Sequence, residues 1–417
     1  MDISNTPDTQ AQRQPLSVFK RILCALIFLA CQIVIPVLIH YINLVDPESM
    51  AGLHIPFAIA LGTLALCTTF ALTLCRKPLF LTCSALGLVA SFLISPWFCA
   101  LFASLLCALV AGAALLADAK GAAYLPFALC APAAFAVSFL LTGNLILSLL
   151  SPIPALGALA LAVSFKKKLS IIVSVGIVTG TLTVSLVLLL LAELLVDGMP
   201  FSAQGISDAI KTFHASISSL FAEALQTMAE TEELAARVEQ MLGGTLDAKI
   251  IAEFSDSVAY AVLGMLPGCL IMLLWLISFT AHRGFTAILI MGQPQKVCPE
   301  HLTQYTPSLP TAVLMILCYG VLLVTSMIPA AETVLFIALN LLFVLMPILA
   351  VSGIAGIIQS VKRAPVKWPL LLTYAISVLF LGIAVIPMLS FFGAFGVITQ
   401  AIAKALENKM NSSQGGS

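Results

Sequence analysis

Charge is what this 417-residue sequence has least of: only 9% of its residues are Asp, Glu, Lys or Arg, while 61% are hydrophobic. A soluble globule cannot be coated with so few charges, so the composition excludes an ordinary water-soluble domain. The formal net charge is zero, which leaves no basic field for nucleic acid and no reason to expect a nucleic-acid partner. Catalytic signatures are missing as well. There is no His-Glu-x-x-His, no Gly-x-Ser-x-Gly, no P-loop and no carboxylate pair at helical spacing within an apolar run. Catalytic, cofactor-binding and metal-binding residues are therefore all read as none, and no enzyme is expected.

What is present is a series of long apolar runs. About 20 helical residues cross the roughly 30 Å hydrocarbon core of a bilayer, and no alternating ten-residue pattern of the outer-membrane barrel type occurs. The expected fold is all-α, a polytopic transmembrane bundle of about eleven spans, within bounds of nine to twelve. Residues 1–19 read as a disordered tail, 20–196 as a membrane block of seven spans, and 197–256 as a polar insertion. Residues 257–410 read as a second block of four spans, and 411–417 as a disordered tail. The spans are placed at Arg21–Leu44, Gly52–Cys75, Phe80–Ile94, Phe98–Ala117, Gly121–Leu141, Leu145–Phe165 and Leu169–Val196. Those of the second block are Val258–Ala281, Thr311–Ile328, Val334–Ile358 and Leu370–Leu389, with Phe391–Leu406 an interfacial helix on the outer face if that count holds. Arg13, Lys20 and Arg21 before the first span put the N-terminus in the cytoplasm, and Lys166-Lys167-Lys168 marks the same side. The localisation implied is a bacterial cytoplasmic membrane, crossed many times, with the lipid bilayer as first partner.

Between the two blocks, Asp197 to Asp256 carries ten acids against three bases, a net charge of −7. Ile206, Ile210, Phe213, Ile217, Leu220, Ala224, Met228, Leu234, Val238 and Met241 recur at the three-and-four spacing of one helical face. The reading is an extracytoplasmic amphipathic helix, broken at Gly243-Gly244, with Thr245 able to cap a second, shorter helix. Its apolar stripe is expected to pack on the bundle or on a second copy of the chain, so a homo-oligomer or a membrane partner is among the partners considered.

Polar groups inside hydrocarbon are costly and are functional candidates by default. Gln32 and Asn340 lie deepest, and either hydrogen-bond across helices or line a cavity for a small-molecule ligand. Glu193 lies within a turn of its span's end, and Tyr319 is a further cavity-lining candidate; His40 and Gln359 are weaker ones. Gly180, Gly353, Gly356, Ala113 and Ala117 read as small residues at helix-packing positions. Ten of the eleven cysteines lie in or beside apolar runs and read as small hydrophobes. The exception, Cys298, has His301 three residues on, too few ligands for a tetrahedral metal site.

Three stretches carry a family resemblance: the acidic Glu230–Gly244, the span opening with Leu266-Pro267 and ending at Arg283, and the proline-bearing Thr306-Pro307-Ser308-Leu309-Pro310. Leu349-Ala350-Val351-Ser352-Gly353-Ile354-Ala355 ahead of Lys362-Arg363 adds a fourth. Together they resemble the YybS-like family of polytopic bacterial membrane proteins, whose function is not established. Thr399 and Lys404 stand where that family carries an acid and an arginine. The family's N-terminal region is similar to the substrate-binding subunits of energy-coupling-factor transporters, although Leu29 follows Ala25 where those subunits carry Ala-x-x-x-Ala. The resemblance implies binding or translocation of a small molecule. The alternative is a non-transporting scaffold that recruits an envelope partner through the acidic helices.

Overall fold

The computed structural model describes residues 18–44, 96–117, 124–196, 202–229, 247–291, 307–325, 332–363 and 385–414. Every regular element among them is a helix. In chain order these are α1 (Val18–Leu44), α2 (Pro96–Ala117), α3 (Leu125–Thr142), α4 (Leu145–Ser148), α5 (Ile153–Lys166) and α6 (Ile171–Val196). They are followed by α7 (Ala203–Ala229), α8 (Ala248–Met291), α9 (Leu309–Thr325), α10 (Glu332–Arg363) and α11 (Val385–Gln414). Eight segments among the described residues are long and apolar enough to cross a membrane. The chain is thus a membrane-embedded helical protein. The spans expected at Gly52–Cys75 and Phe80–Ile94, most of the one at Leu370–Leu389, and the Gly243-Gly244 break lie outside the described residues.

Three elements depart from the sequence reading. The span expected at Leu145–Phe165 is broken into α4 and α5. Asn144 caps α4, its Oδ1 accepting from the backbone N–H of Ile146 at 2.9 Å and of Leu147 at 3.1 Å. Pro152 and Pro154 have no N–H with which to carry the helix through. The backbone tightens there instead: the Ser151 N–H donates to the Ser148 carbonyl at 3.1 Å and the Ile153 N–H to the Leu150 carbonyl at 3.3 Å, while the Ser138 and Ser151 hydroxyls pair at 2.8 Å. The span expected to end at Ala281, with His282-Arg283 in a loop, instead continues unbroken, so that α8 has 44 residues. Its later turns are held by packing, with Phe285 edge-on to Phe165 at 5.3 Å. Asp247 caps its start by accepting from the Ile250 N–H at 2.7 Å, and Thr245 lies outside the described residues. Finally, no break follows Leu389, because α11 runs through to Gln414 and so into the segment expected as a tail.

The chain clusters into two compact units. The first comprises Met1–Leu189 with Leu274–Glu300, and the second Leu190–Leu273 with His301–Ser417. In the first, α2 is the central helix: Ala108 through Ala114 are all buried, with α1 and α5 packed along it. Gly112 admits Phe28 from α1 and Ala158 from α5, and a Cβ there would fall 2.7 Å and 2.8 Å from them. In the second, α9, α10 and α11 share a core that includes Met315, Leu345, Leu349, Ala394 and Val397.

The tightest approach is between α10 and α11. A Cβ on Gly353 would overlap the Leu389 carbonyl, and one on Gly393 would overlap the Leu349 carbonyl. Ser390 Oγ also donates across the pair to the Met346 carbonyl at 2.8 Å. Small residues let helix backbones touch in this way. Of the small residues singled out in the sequence, Gly353, Ala113 and Ala117 are packed, whereas a Cβ on Gly180 or Gly356 would meet nothing within 4 Å. Gly393→Ala is therefore expected to destabilise the detergent-purified protein by about 1–3 kcal/mol through overpacking. Gly356→Ala should be neutral or stabilise by up to about 1 kcal/mol. Thermal melts of the two variants beside the parent check the contrast.

Candidate functional site

The first unit contains a cavity of about 140 Å³. Ile35 and Ile39 of α1, Leu101 and Leu105 of α2, and Leu182 and Leu186 of α6 form most of its wall. Leu150, Ile153 and Pro154, at the break between α4 and α5, and Leu274 of α8 complete it. All ten side chains are hydrocarbon. The space is about half open rather than enclosed, and its wall offers only hydrocarbon to whatever enters it.

Contacts fix the direction of each helix past this cavity. Phe28 meets Gly112 while Ile35 and Ile39 share the cavity with Leu101 and Leu105, so α1 and α2 are antiparallel. Gly157 abuts Leu109 and Leu182, and α5 leads from the cavity to Lys166. α6 starts just after that end, at Ile171, and reaches the cavity at Leu182. α8 leaves the cavity at Leu274 and meets Phe165 through Phe285. On the side of the cavity facing Lys166–Lys168, four buried polar residues follow: Gln32, Thr179, Ser174 and His282. The Gln32 Nε2 and Oε1, Thr179 Oγ1, Ser174 Oγ and His282 Nδ1 have no hydrogen-bond partner among the described residues.

The sequence candidates are distributed over both units. Gln32 is fully buried in the first and does not line the cavity. Glu193, Tyr319 and Asn340 belong to the second. Glu193 is exposed near the end of α6. Tyr319 packs edge-on to Phe391 at 6.1 Å, and its buried hydroxyl has no partner among the described residues. Asn340 is the best bonded: its Oδ1 accepts from the Gly268 N–H at 2.6 Å, and its Nδ2 donates to the Gly264 carbonyl at 2.5 Å and to the Phe336 carbonyl at 2.8 Å. Gly264 carbonyl and Gly268 N–H are four residues apart, the pair that bond each other in a regular α-helix. The Asn340 carboxamide bonds both members of this pair, beside Pro267, which lacks the N–H of the same ladder one residue earlier. No hydrogen bond joins Glu193, Tyr319 and Asn340 to one another among the described residues.

α7 shows which of its faces is covered. Ile206, Ile210, Phe213, Leu220 and Met228 of the apolar stripe are exposed. The covered side includes Ser207, His214, Ser218 and Leu225, about a quarter-turn away at 100° per residue. His214 Nε2 lies 3.6 Å from Asp256 Oδ1 of α8. Among the described residues these five stripe positions are thus left uncovered, Ile217 is half-buried, and Leu234, Val238 and Met241 lie outside them.

The described cysteines Cys24, Cys31, Cys107, Cys130, Cys269 and Cys318 form no disulfide with one another. No group of three or more His, Cys, Asp or Glu side chains suited to a metal occurs among the described residues, and Cys298 and His301 lie outside them. Comparison with protein families, with curated proteins and with solved structures finds no match for this chain.

Replacing Asn340 tests these bonds. Loss of a hydrogen-bonding partner from buried backbone costs about 1–3 kcal/mol, but membrane-buried polar contacts average only about 0.6 kcal/mol because the released groups find other partners. Gly264 and Gly268 can pair with each other once the carboxamide is gone. Asn340→Ala is therefore expected to destabilise by about 0.5–1.5 kcal/mol, read as a lower Tm, with hydrogen exchange at Gly268 changed.

Proposed function

We propose that this chain binds a small molecule, and as a transporter or transporter subunit translocates it, with the apolar part of that molecule seated in the 140 Å³ cavity of the first unit. The cavity is the observation that carries the reading. A half-open space of this size between helices, lined by hydrocarbon alone, offers an apolar group a seat. Its wall draws on five segments of the chain, the arrangement expected of a ligand site between the helices of a bundle. The reading includes no catalytic residue and no cofactor.

In this reading the chain lies in a bacterial cytoplasmic membrane, with its N-terminus and Lys166–Lys168 on the cytoplasmic side by the positive-inside rule. The acidic segment that includes α7 is an extracytoplasmic cap, and the resemblance to the YybS-like family belongs to the same proposal. The second reading is a scaffold that recruits an envelope partner. The exposed apolar stripe of α7 favours it, since exposed patches of this kind mark interaction surfaces.

Co-purification in mild detergent, with mass spectrometry of bound proteins and bound small molecules, separates the two. The expected result is one apolar metabolite at near-stoichiometric amount, lost when Leu186→Phe fills the cavity. Recovery of an envelope protein that disappears on deletion of Ile206–Met241, with no small molecule bound, would replace the transport reading with the scaffold.

A further inference from the structure

Two helices of the first unit end in a left-handed residue, and the residue differs. α3 closes at Gly143, with φ 63°. α5 closes on two crossed bonds, the Lys168 N–H to the Phe165 carbonyl at 2.9 Å and the Leu169 N–H to the Ser164 carbonyl at 3.1 Å, with Lys168 at φ 54°. Glycine is the usual occupant of that place, because a Cβ strains the left-handed backbone. Among the described residues Lys168 is the one non-glycine residue held there. Lys166 and Lys167 suit the negative C-terminal end of the helix dipole wherever they stand in the last turn. A lysine at 168, by contrast, serves the turn worse than glycine would, and strain of this kind points to a use for the side chain.

The surroundings are those of a bilayer surface. Lys166 Nζ donates to the Tyr124 hydroxyl at 3.1 Å and lies 5.3 Å from the centre of its ring. Tyrosine collects at membrane–water interfaces, and this bond uses one of the three donors of the ammonium. Lys167 and Lys168 are exposed. α8 brings a further base, Arg283, to the same end, two residues before the Phe285 that packs on Phe165. The sequence holds no acid between Asp118 and Glu193, and Asp118 alone cannot balance Lys120 and the three lysines. Next to the lysines α5 turns hydrocarbon outward. Leu156, Leu159 and Val163 are exposed, and they precede Lys166 by ten, seven and three positions, which places all four on one helical face. Ten residues of rise is about 15 Å, the depth of one leaflet in a hydrocarbon core about 30 Å thick.

We infer that Lys166, Lys167 and Lys168 hold the headgroup of an anionic phospholipid, with one of its acyl chains along Leu156, Leu159 and Val163. Charge complementarity selects the anion, since a lysine ammonium meets a phosphate as a compact charge with three donors. The adjoining face of α5 selects a lipid over a soluble anion. A free phosphate would use the lysines alone, whereas a lipid uses the lysines and one leaflet's depth of hydrocarbon together. The left-handed residue at 168 places a third cation at the headgroup level, where glycine would have left a bare turn. The inference is independent of the cavity reading: Ile153 in the cavity wall and Lys166 are thirteen positions apart on α5, about 20 Å of helical rise.

The test uses the full chain in detergent, stripped of lipid and offered equal amounts of phosphatidylglycerol and phosphatidylcholine with identical acyl chains. Mass spectrometry counts the lipid retained. Wild type is expected to enrich phosphatidylglycerol about twentyfold, and Lys168→Gln to cut that enrichment about fivefold, with the lipid-free Tm unchanged. Lys168→Gly should lose as much enrichment and raise the lipid-free Tm, because it relieves the left-handed backbone. Lys166→Gln, Lys167→Gln and Lys168→Gln together should bring the ratio to about one. A control that removes two positive charges elsewhere, Lys362→Gln with Arg363→Gln, should leave it at the wild-type value. Equal retention of the two lipids by wild type overturns the inference. So does an enrichment that survives Lys168→Gly and Lys168→Gln, or one that falls as far in the control. Displacement of phosphatidylglycerol by glycerol phosphate at equal concentration also overturns it, assigning the lysines to a soluble anion.

Discussion

In hydrocarbon no water is available to a peptide group, so each backbone N–H and C=O must find its partner within the protein. That requirement accounts for more of this structure than any individual contact. It explains why every described element is a helix, and it explains what happens wherever a helix is interrupted. At the α4–α5 break, the Asn144 side chain accepts from the first free N–H groups of α4, and the carbonyls that Pro152 and Pro154 cannot serve accept from the Ser151 and Ile153 N–H groups. Beside Pro267 the Asn340 carboxamide accepts from one backbone group and donates to another. At Asn144 and at Asn340 a side chain serves backbone groups that the ladder leaves open.

The two units meet the same requirement with different packing. In the second, glycine brings backbone against backbone, and Ser390 fastens α10 to α11 across the contact. In the first, Ile35, Leu101 and Leu182 border the cavity together with Leu150 and Pro154, which stand at the α4–α5 break.

How much of this could be read from the sequence depended on range. Membrane helices such as α1, α2 and α6 were legible, because about 20 apolar residues announce a span whatever surrounds them. The length of α8 was not, since His282-Arg283 looks like a loop and only the distant Phe165 shows why the helix continues past it. The α4–α5 break was hidden by the apolar average of its window, although Asn144 and the two prolines stood in plain view. Gln32 was conspicuous as an amide in an apolar run. Thr179 was not, because hydroxyls in helices usually bond back to the preceding turn and pass as neutral. The role of Asn340 could not be foreseen, with partners 72 and 76 residues away. On α7 the apolar stripe was visible but its covered face was not, since that face is set by small residues and by the approach of His214 to Asp256.

The α10–α11 contact has a thermal consequence. Hydrophobic burial weakens on cooling, because its strength is tied to the heat capacity of water around apolar surface. The Gly353–Leu389 and Gly393–Leu349 approaches bring polarised Cα–H groups to carbonyl oxygens, and Ser390 adds a hydroxyl. Electrostatic contacts and dispersion between backbones already out of water involve little change in hydration. This helix pair should therefore hold its association nearly unchanged through a fall in temperature that loosens assemblies built on the exclusion of water, and the stiffness of the surrounding lipid, more than the strength of the joint, would govern how the protein behaves in the cold.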